Sequence, residues 1–277
     1  MLKRILLLLG DTPSSLSARK YAFGLAQATN AAIAGFAGVD LAHIEAPMAG
    51  AIGTSAYEAA LEEKLRKEAD ATRKRLQAAY EQDCKTHSVP FEWLTFDGDP
   101  IEALHLASET RDLVVTGHDT AFRGPVREPL SETLSQLLLH TPRPVIACGR
   151  NGSESPNVLI AYDGSVPAMR AIQLFVLLGL GAGRSVQVTT IDSDPALAAR
   201  RANGAANYLR SHGYEAEANP LATDVPPADA LRIAVTERRI GTLVMGAYGR
   251  RGFRERLFGS TTTELVENPP CALFLYH

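Results

Sequence analysis

The segment from Met245 to Leu265, MGAYGRRGFRERLFGSTTTEL, places glycines at 246, 249 and 259 and a serine at 260. Arg250, Arg251, Arg254 and Arg256 lie between them, against the single acid Glu255. Glycine lets backbone come close to a phosphate, and the hydroxyls of Ser260 and Thr261 can donate hydrogen bonds to it. A helix starting at "STTTELVEN" would add unpaired N–H groups and the positive end of its dipole. The chemistry is that of holding an anion. The spacing Gly-x-x-Gly-x9-Gly-Ser is not a Walker loop, because no lysine follows the last glycine. Taken alone, the segment would read as a surface loop with glycines for its turns and arginines for solubility.

Other residues invite weaker readings. Asp163, in "YDGS", fits an Asp-Gly turn or helix cap, and equally a ligand contact at a strand end. His118 and Asp119 could form an acid–base pair, but a turn with a cap is the commoner use of such a pair. "GLGAGR", from Gly179 to Arg184, lacks the final glycine of a dinucleotide fingerprint and precedes a strand, so it reads as a helix-ending turn. The histidines show no metal-ligand spacing, and no Gly-x-Ser-x-Gly elbow occurs. Near the glycine segment the acidic candidates are Asp163, Asp192 and Glu264, with no assignable base. Fast hydrolysis is therefore not expected.

The elements that must position these residues are written twice. "RILLLLGDTPSSLSARKYAFGLA" from Arg4 and "NVLIAYDGSVPAMRAIQLFVLLG" from Asn157 each read as apolar strand, small polar turn and amphipathic helix. "DLVVTGHDT" matches "TLVMGAYGR", and "TPRPVIACG" matches "NPPCALFLY". The separation between copies shrinks from the Ile5–Val158 pair to the Gly117–Gly246 pair, so the first copy carries extra residues in its middle. They fall around a charged helix over 55–86, expected to present a solvated face. In the second copy the strands are expected at Val158–Tyr162, Val186–Ile191, Glu215–Ala218, Thr242–Met245 and Ala272–Tyr276. Strands alternating with helices predict an α/β chain of two tandem, doubly wound, five-stranded parallel modules, 1–151 and 152–277, joined near "GSESP". Ligands of such sheets bind beyond the carboxyl ends of the strands, which places "YDGS", "TIDS" and "MGAYG" at one rim.

On "VLIAYDGS" and the glycine segment, the chain resembles the universal stress protein family, in its nucleotide-binding branch. Gly246, Gly249, Gly259 and Ser260 meet every fixed position of that motif. The resemblance implies a Rossmann-like fold of the adenine nucleotide alpha hydrolase type. It also implies a stress-response or signalling protein that binds ATP or another adenine nucleotide, with or without magnesium. It would place Ala161, Tyr162 and Asp163 at the adenosine and Ile191 near the base. Met245, Gly246, Gly249 and Arg250 would line the nucleotide, and Gly259, Ser260, Thr261 and Thr262 would hold phosphates. A slow ATP hydrolase or nucleotidyl-transfer enzyme on the same scaffold is the alternative. The resemblance further implies that the modules face each other through their last strands, in pseudo-twofold fashion. The first copy departs from the pattern. Thr120 stands for Gly249, Leu130 for Gly259, and Gly10–Asp11 for Asp163–Gly164. Leucine where phosphate meets bare backbone leaves this copy a degenerate motif, not expected to bind ATP in the family's manner.

Composition agrees with this class. The chain has 277 residues, 45% of them hydrophobic, and a formal charge of -3, which argues against generic nucleic-acid binding. Cys84, Cys148 and Cys271 form no CxxC pair, so a reducing cytoplasmic setting is expected. The apolar run Ile5–Leu9 is too short for a signal core or membrane span and reads as a buried strand. A homodimer is an open expectation, and the protein partner is not legible.

Overall fold

The computed structural model describes residues 1–39, 55–120, 132–152, 155–247 and 259–277. The first half runs β1 (Arg4–Leu8), α1 (Pro13–Thr29), β2 (Ala32–Val39), α2 (Ser55–His87), β3 (Phe91–Asp97), α3 (Pro100–Glu109), β4 (Leu113–Gly117), α4 (Glu132–His140) and β5 (Val145–Cys148). The second runs β6 (Val158–Ala161), α5 (Val166–Leu178), β7 (Val186–Thr189), β8 (Ile191–Asp192), α6 (Pro195–Ser211), β9 (Ala216–Ala218), β10 (Leu221–Ala222), α7 (Pro227–Glu237), β11 (Thr242–Gly246), α8 (Ser260–Glu267) and β12 (Ala272–Tyr276).

The helices start where the sequence provides a cap. Thr12, Asp99, Ser165 and Asp194 each accept a hydrogen bond from a first-turn amide, with proline close behind. Asn30 and Gly179 end α1 and α5 in the left-handed region, with φ of 53° and 75°. The "GLGAGR" segment is thus a helix-ending turn, as expected.

Ten strands form one sheet in the order β3-β2-β1-β4-β5-β12-β11-β6-β7-β9. All neighbours are parallel except β5 and β12, which pair antiparallel with Phe274 opposite Ile146. The two halves therefore meet through their last strands. Helices cover both faces. Ile5 and Leu7 of β1 belong to a buried cluster that extends to residues of α1, α2, α5 and α6, while Leu6 and Leu8 belong to one that includes residues of α3, α4, α7 and α8. That is why β1 is apolar throughout instead of alternating. Its pattern of burial matches the reading of Ile5–Leu9 as a buried strand.

The expected strands recur with small shifts at their ends. The one difference in kind is that Val186–Ile191 is not a single strand. β7 stops at Thr189, and Ile191–Asp192 pairs instead with Leu221–Ala222 in a separate two-stranded ladder. At the break, Thr190 Oγ1 donates to the Tyr162 carbonyl at 2.6 Å, while the Thr190 carbonyl accepts from Leu221 N. Thr190 thus stays tied to the end of β6, while the chain beyond it pairs with Leu221–Ala222. Helix α2 keeps a polar, largely exposed face, as its charge pattern predicts. Tyr80 anchors it to the sheet, with its ring over Gly35 and its hydroxyl donating to the Ile33 carbonyl at 2.8 Å.

The join has no polar material. Val145, Ile146, Ala147, Leu273, Phe274 and Leu275 are all fully buried. Phe274 also meets Phe175 of α5 edge-on, with ring centroids 5.8 Å apart. Phe274→Ala is expected to cost about 3–5 kcal/mol through lost burial and the cavity left behind. Urea unfolding checks this. A midpoint unchanged from the parent would contradict the packing described.

Candidate nucleotide-type rim

Strand β6 lies between β11 and β7. From β6 the chain continues into α5 on one face of the sheet, while α8, the next described helix after β11, packs on the other. Where connections leave adjacent parallel strands to opposite faces, their carboxyl ends part and leave a crevice. Ala161 closes β6 there, Met245 and Gly246 close β11, and Tyr162 and Asp163 follow β6. Thr262 of α8 reaches this rim through its hydroxyl, 3.4 Å from the Gly246 carbonyl. Gly259, Ser260 and Thr261 adjoin it at the start of α8, and Ile191 lies on β8 beyond the end of β7. Gly249 and Arg250, with the other loop arginines, lie outside the described residues.

Each placement has a local cause. Asp163 is exposed, and its Oδ1 accepts from Ser165 N at 2.8 Å, closing the turn. Ser165 then caps α5 by accepting from Ala168 N. Gly164 takes a φ of 80°, which favours glycine. Gly246 has a packing reason of its own, because a Cβ there would lie 2.6 Å from Ala168 N. Gly259 differs from both. Its φ of -66° and ψ of 152° suit any residue, and it caps α8 without a side-chain hydrogen bond. Four other helices have a cap side chain on their first-turn amides; α8 has none.

Sequence reasoning passed over Arg201 and Thr190. Arg201 of α6 pairs with Asp192 at 3.1 Å, and its Nε would lie 2.8 Å from a Cβ at Gly164. Thr190 and Tyr162 lock the ends of β6 and β7 together through the bond already described and through Tyr162 N to the Thr189 carbonyl. Neither arginine nor threonine stood at a motif spacing, so only the fold brings them to the rim. Among the described residues, no group of three or more His, Cys, Asp or Glu is placed to hold a metal ion. No helix among them is long and apolar enough to cross a membrane.

The corresponding rim of the first half contains its own side chains. Asp119 Oδ1 accepts from Thr12 Oγ1 at 2.7 Å and from Ser14 Oγ. Ser15 Oγ and Thr120 Oγ1 lie 2.8 Å apart, and Thr120 Oγ1 accepts from Gly117 N. Asp11 is drawn outward to Arg75 of α2. His118 Nε2 is 3.8 Å from Asp119 Oδ2, too far for a hydrogen bond. Burial pushes the His118 pKa down, against the attraction of Asp119. Burial alone would raise the Asp119 carboxyl, but hydrogen bonds from Ser14 and Thr12, with the charges of His118 and Arg150, hold it below 3.8. The pair lies in the turn after β4, and Asp119 links that turn to the start of α1 through side-chain hydroxyls instead of capping a helix. Leu130 lies outside the described residues.

Comparison with known proteins places the fold. Residues 155–277 match the model of the universal stress protein family. The similarity to that family thus covers the C-terminal part of the chain. A universal stress protein from Archaeoglobus fulgidus DSM 4304 is similar over 99% of this chain and 97% of its own, with 16% identity and a TM-score of 0.69. A protein of unknown function from Pseudomonas aeruginosa PAO1 is similar over 99% and 92%, with 15% identity and a TM-score of 0.57. A universal stress protein in complex with cAMP aligns with 54% of this chain and 99% of its own, at 16% identity and a TM-score of 0.37. No curated protein sequence matches significantly.

The Asp119 network has a consequence for stability. A carboxylate whose folded-state pKa is depressed stabilises fully above its unfolded value, near 3.8, and loses that contribution as pH falls through the folded value. Asp119→Asn should therefore lower stability at pH 7 by on the order of 1 kcal/mol. The gap from the parent should narrow as the pH falls below 3.8 and through the depressed folded-state value. Urea midpoints at neutral pH and in acid measure it, and a gap that widens in acid would contradict the assignment.

Proposed function

We propose that the C-terminal half, taken as a module over 152–277, binds ATP or a related adenine nucleotide at the β6–β11 rim. The protein acts through the bound state, as a stress-response or signalling component of the cytoplasm. The observation that carries this reading is the start of α8. Its glycine cap needs no special backbone angle and places no side chain over the first-turn amides. Such an end suits a phosphate, which the amides, the Ser260 and Thr261 hydroxyls and the loop arginines would hold. Asp163 and Tyr162 would meet the adenosine beside Ala161, and Ile191 the base. Met245 and Gly246 would form the floor, with Gly249 and Arg250 adjoining and Thr262 holding the Gly246 carbonyl in place. The match of residues 155–277 to the universal stress protein family supports the class of ligand.

The first half, taken as a module over 1–151, is proposed not to share this activity. A carboxylate is fixed between Thr12 and Ser14 where a bound anion would need its own space. Magnesium, if it accompanies the nucleotide, is proposed to be held mainly by the phosphates, since Mg²⁺ commonly uses few protein ligands there. Binding without fast turnover follows from the absence of a Walker lysine in the motif. Phosphate release near the enzyme median of about 10 per second would move the protein into the enzyme class.

Gly259→Leu copies the first half's residue into the second. The expected outcome is a loss of ATP affinity of at least tenfold, about 1.4 kcal/mol, in a chain that still folds. Calorimetric titration with ATP and magnesium measures it. A folded variant that binds as tightly as the parent would remove the phosphate-holding role from the start of α8.

A further inference from the structure

Strand β7 carries a buried hydroxyl without a partner. Thr189 is 1% exposed, and its Oγ1 has no hydrogen-bond partner among the described residues. Its neighbours are satisfied. Thr190 Oγ1 donates to the Tyr162 carbonyl, and Gln187 Oε1 accepts from Arg238 Nη1 and Asn219 Nδ2. A hydroxyl buried without a bond is costly, so one that persists calls for a cause.

The register says where this hydroxyl stands. Val244 pairs with Ile160, which sets Met245 level with Ala161, and Ala161 pairs with Thr189. Paired residues of a parallel sheet point to the same face, with strands about 4.8 Å apart. Met245, Ala161 and Thr189 therefore form one transverse row, on the face where Met245 and Ala161 join the α7–α8 core. Ile191, two residues beyond Thr189, packs against the same core. The first two members of the row are already assigned to the nucleotide, and the third is the one with an unused hydrogen-bonding group.

We infer that Thr189 is a further nucleotide-contacting residue, whose hydroxyl bonds the base of the ligand between Ala161 and Ile191. This rests on the reading of the rim as an adenine-nucleotide site. A purine edge offers ring-nitrogen acceptors and an exocyclic amine, and a threonine hydroxyl can donate or accept. The side chain thus adds binding energy where the neighbouring Ala161 and Ile191 side chains offer only apolar contact.

The test compares the full-length parent with Thr189→Val and Thr189→Ser, using ATP titration and thermal unfolding without nucleotide. Valine keeps the shape and removes the hydroxyl; serine keeps the hydroxyl. The expected result is about tenfold weaker ATP binding by Thr189→Val, affinity within about threefold of the parent for Thr189→Ser, and no loss of nucleotide-free stability in Thr189→Val. Equal binding by parent and Thr189→Val overturns this assignment and leaves the nucleotide site standing. Equal losses in both variants make shape the cause and overturn it too. A Thr189→Val chain that is destabilised or fails to fold makes the hydroxyl a structural group, and the assignment is again overturned. A parent that binds no ATP ends the reading of the rim itself, and this inference with it.

Discussion

A parallel strand buried on both faces can release its chain only at its ends, and the direction of that release shapes everything at the rim. β6 is such a strand, with Val158, Leu159 and Ile160 fully buried. It hands the chain to α5 on one face, while α8 serves β11 from the other. The crevice between them follows from connectivity and the close-packed sheet. The antiparallel β5–β12 join lets two such units share one core without exposing an apolar edge. Further ties reinforce the arrangement. Tyr21 of α1 and Arg184 both meet Thr242 at the start of β11, at 2.8 and 2.9 Å, and the amino terminus donates to the Leu177 carbonyl.

The same scaffold serves the two rims differently. In both halves a glycine at the end of the fourth strand lets the first helix pack close. A Cβ at Gly117 would lie 2.6 Å from Ser15 N, and one at Gly246 equally near Ala168 N. These glycines are therefore architecture first. What differs is the polar material around them. The first half draws Asp119, Thr12, Ser14, Ser15 and Thr120 into a closed set of hydrogen bonds. The second half has Pro167 and Ala168 where the first has Ser14 and Ser15, so those two positions offer no side-chain hydroxyls at the start of α5. A repeat can keep its strands and packing glycines while a few hydroxyls and one carboxylate cross-link one rim and not the corresponding described residues of the other.

Much of the fold was legible in the residues. Continuous apolar runs marked the doubly covered strands; the caps at Thr12, Asp99, Ser165 and Asp194 emerged only from the structure, where Asp163 closes a turn and Ser165 caps the helix. The break at Thr190 was not legible, because "VQVTTID" has strand composition throughout and the Thr190 hydroxyl at the end of β7 donates to the carbonyl of Tyr162, distant in sequence. The rim was legible where glycine spacing is local, as at Gly246 and Gly259. It was hidden where register decides. Thr189 reads as an ordinary strand threonine until β6 is set beside it, and Arg201 as an ordinary helix arginine until Asp192 is found across the turn. The Asp119 network was equally hidden, since its members are drawn from two segments and have no shared spacing.

If only one rim of the two is built for a nucleotide, the chain must bind a single copy of it. Native mass spectrometry of the full chain with excess ATP and magnesium counts the ligands directly. One nucleotide per chain is expected, lost in a variant altered at Gly259 and kept in one altered at Asp119. Two nucleotides per chain, or one that survives the change at Gly259 and disappears with the change at Asp119, would contradict a single site at the β6–β11 rim.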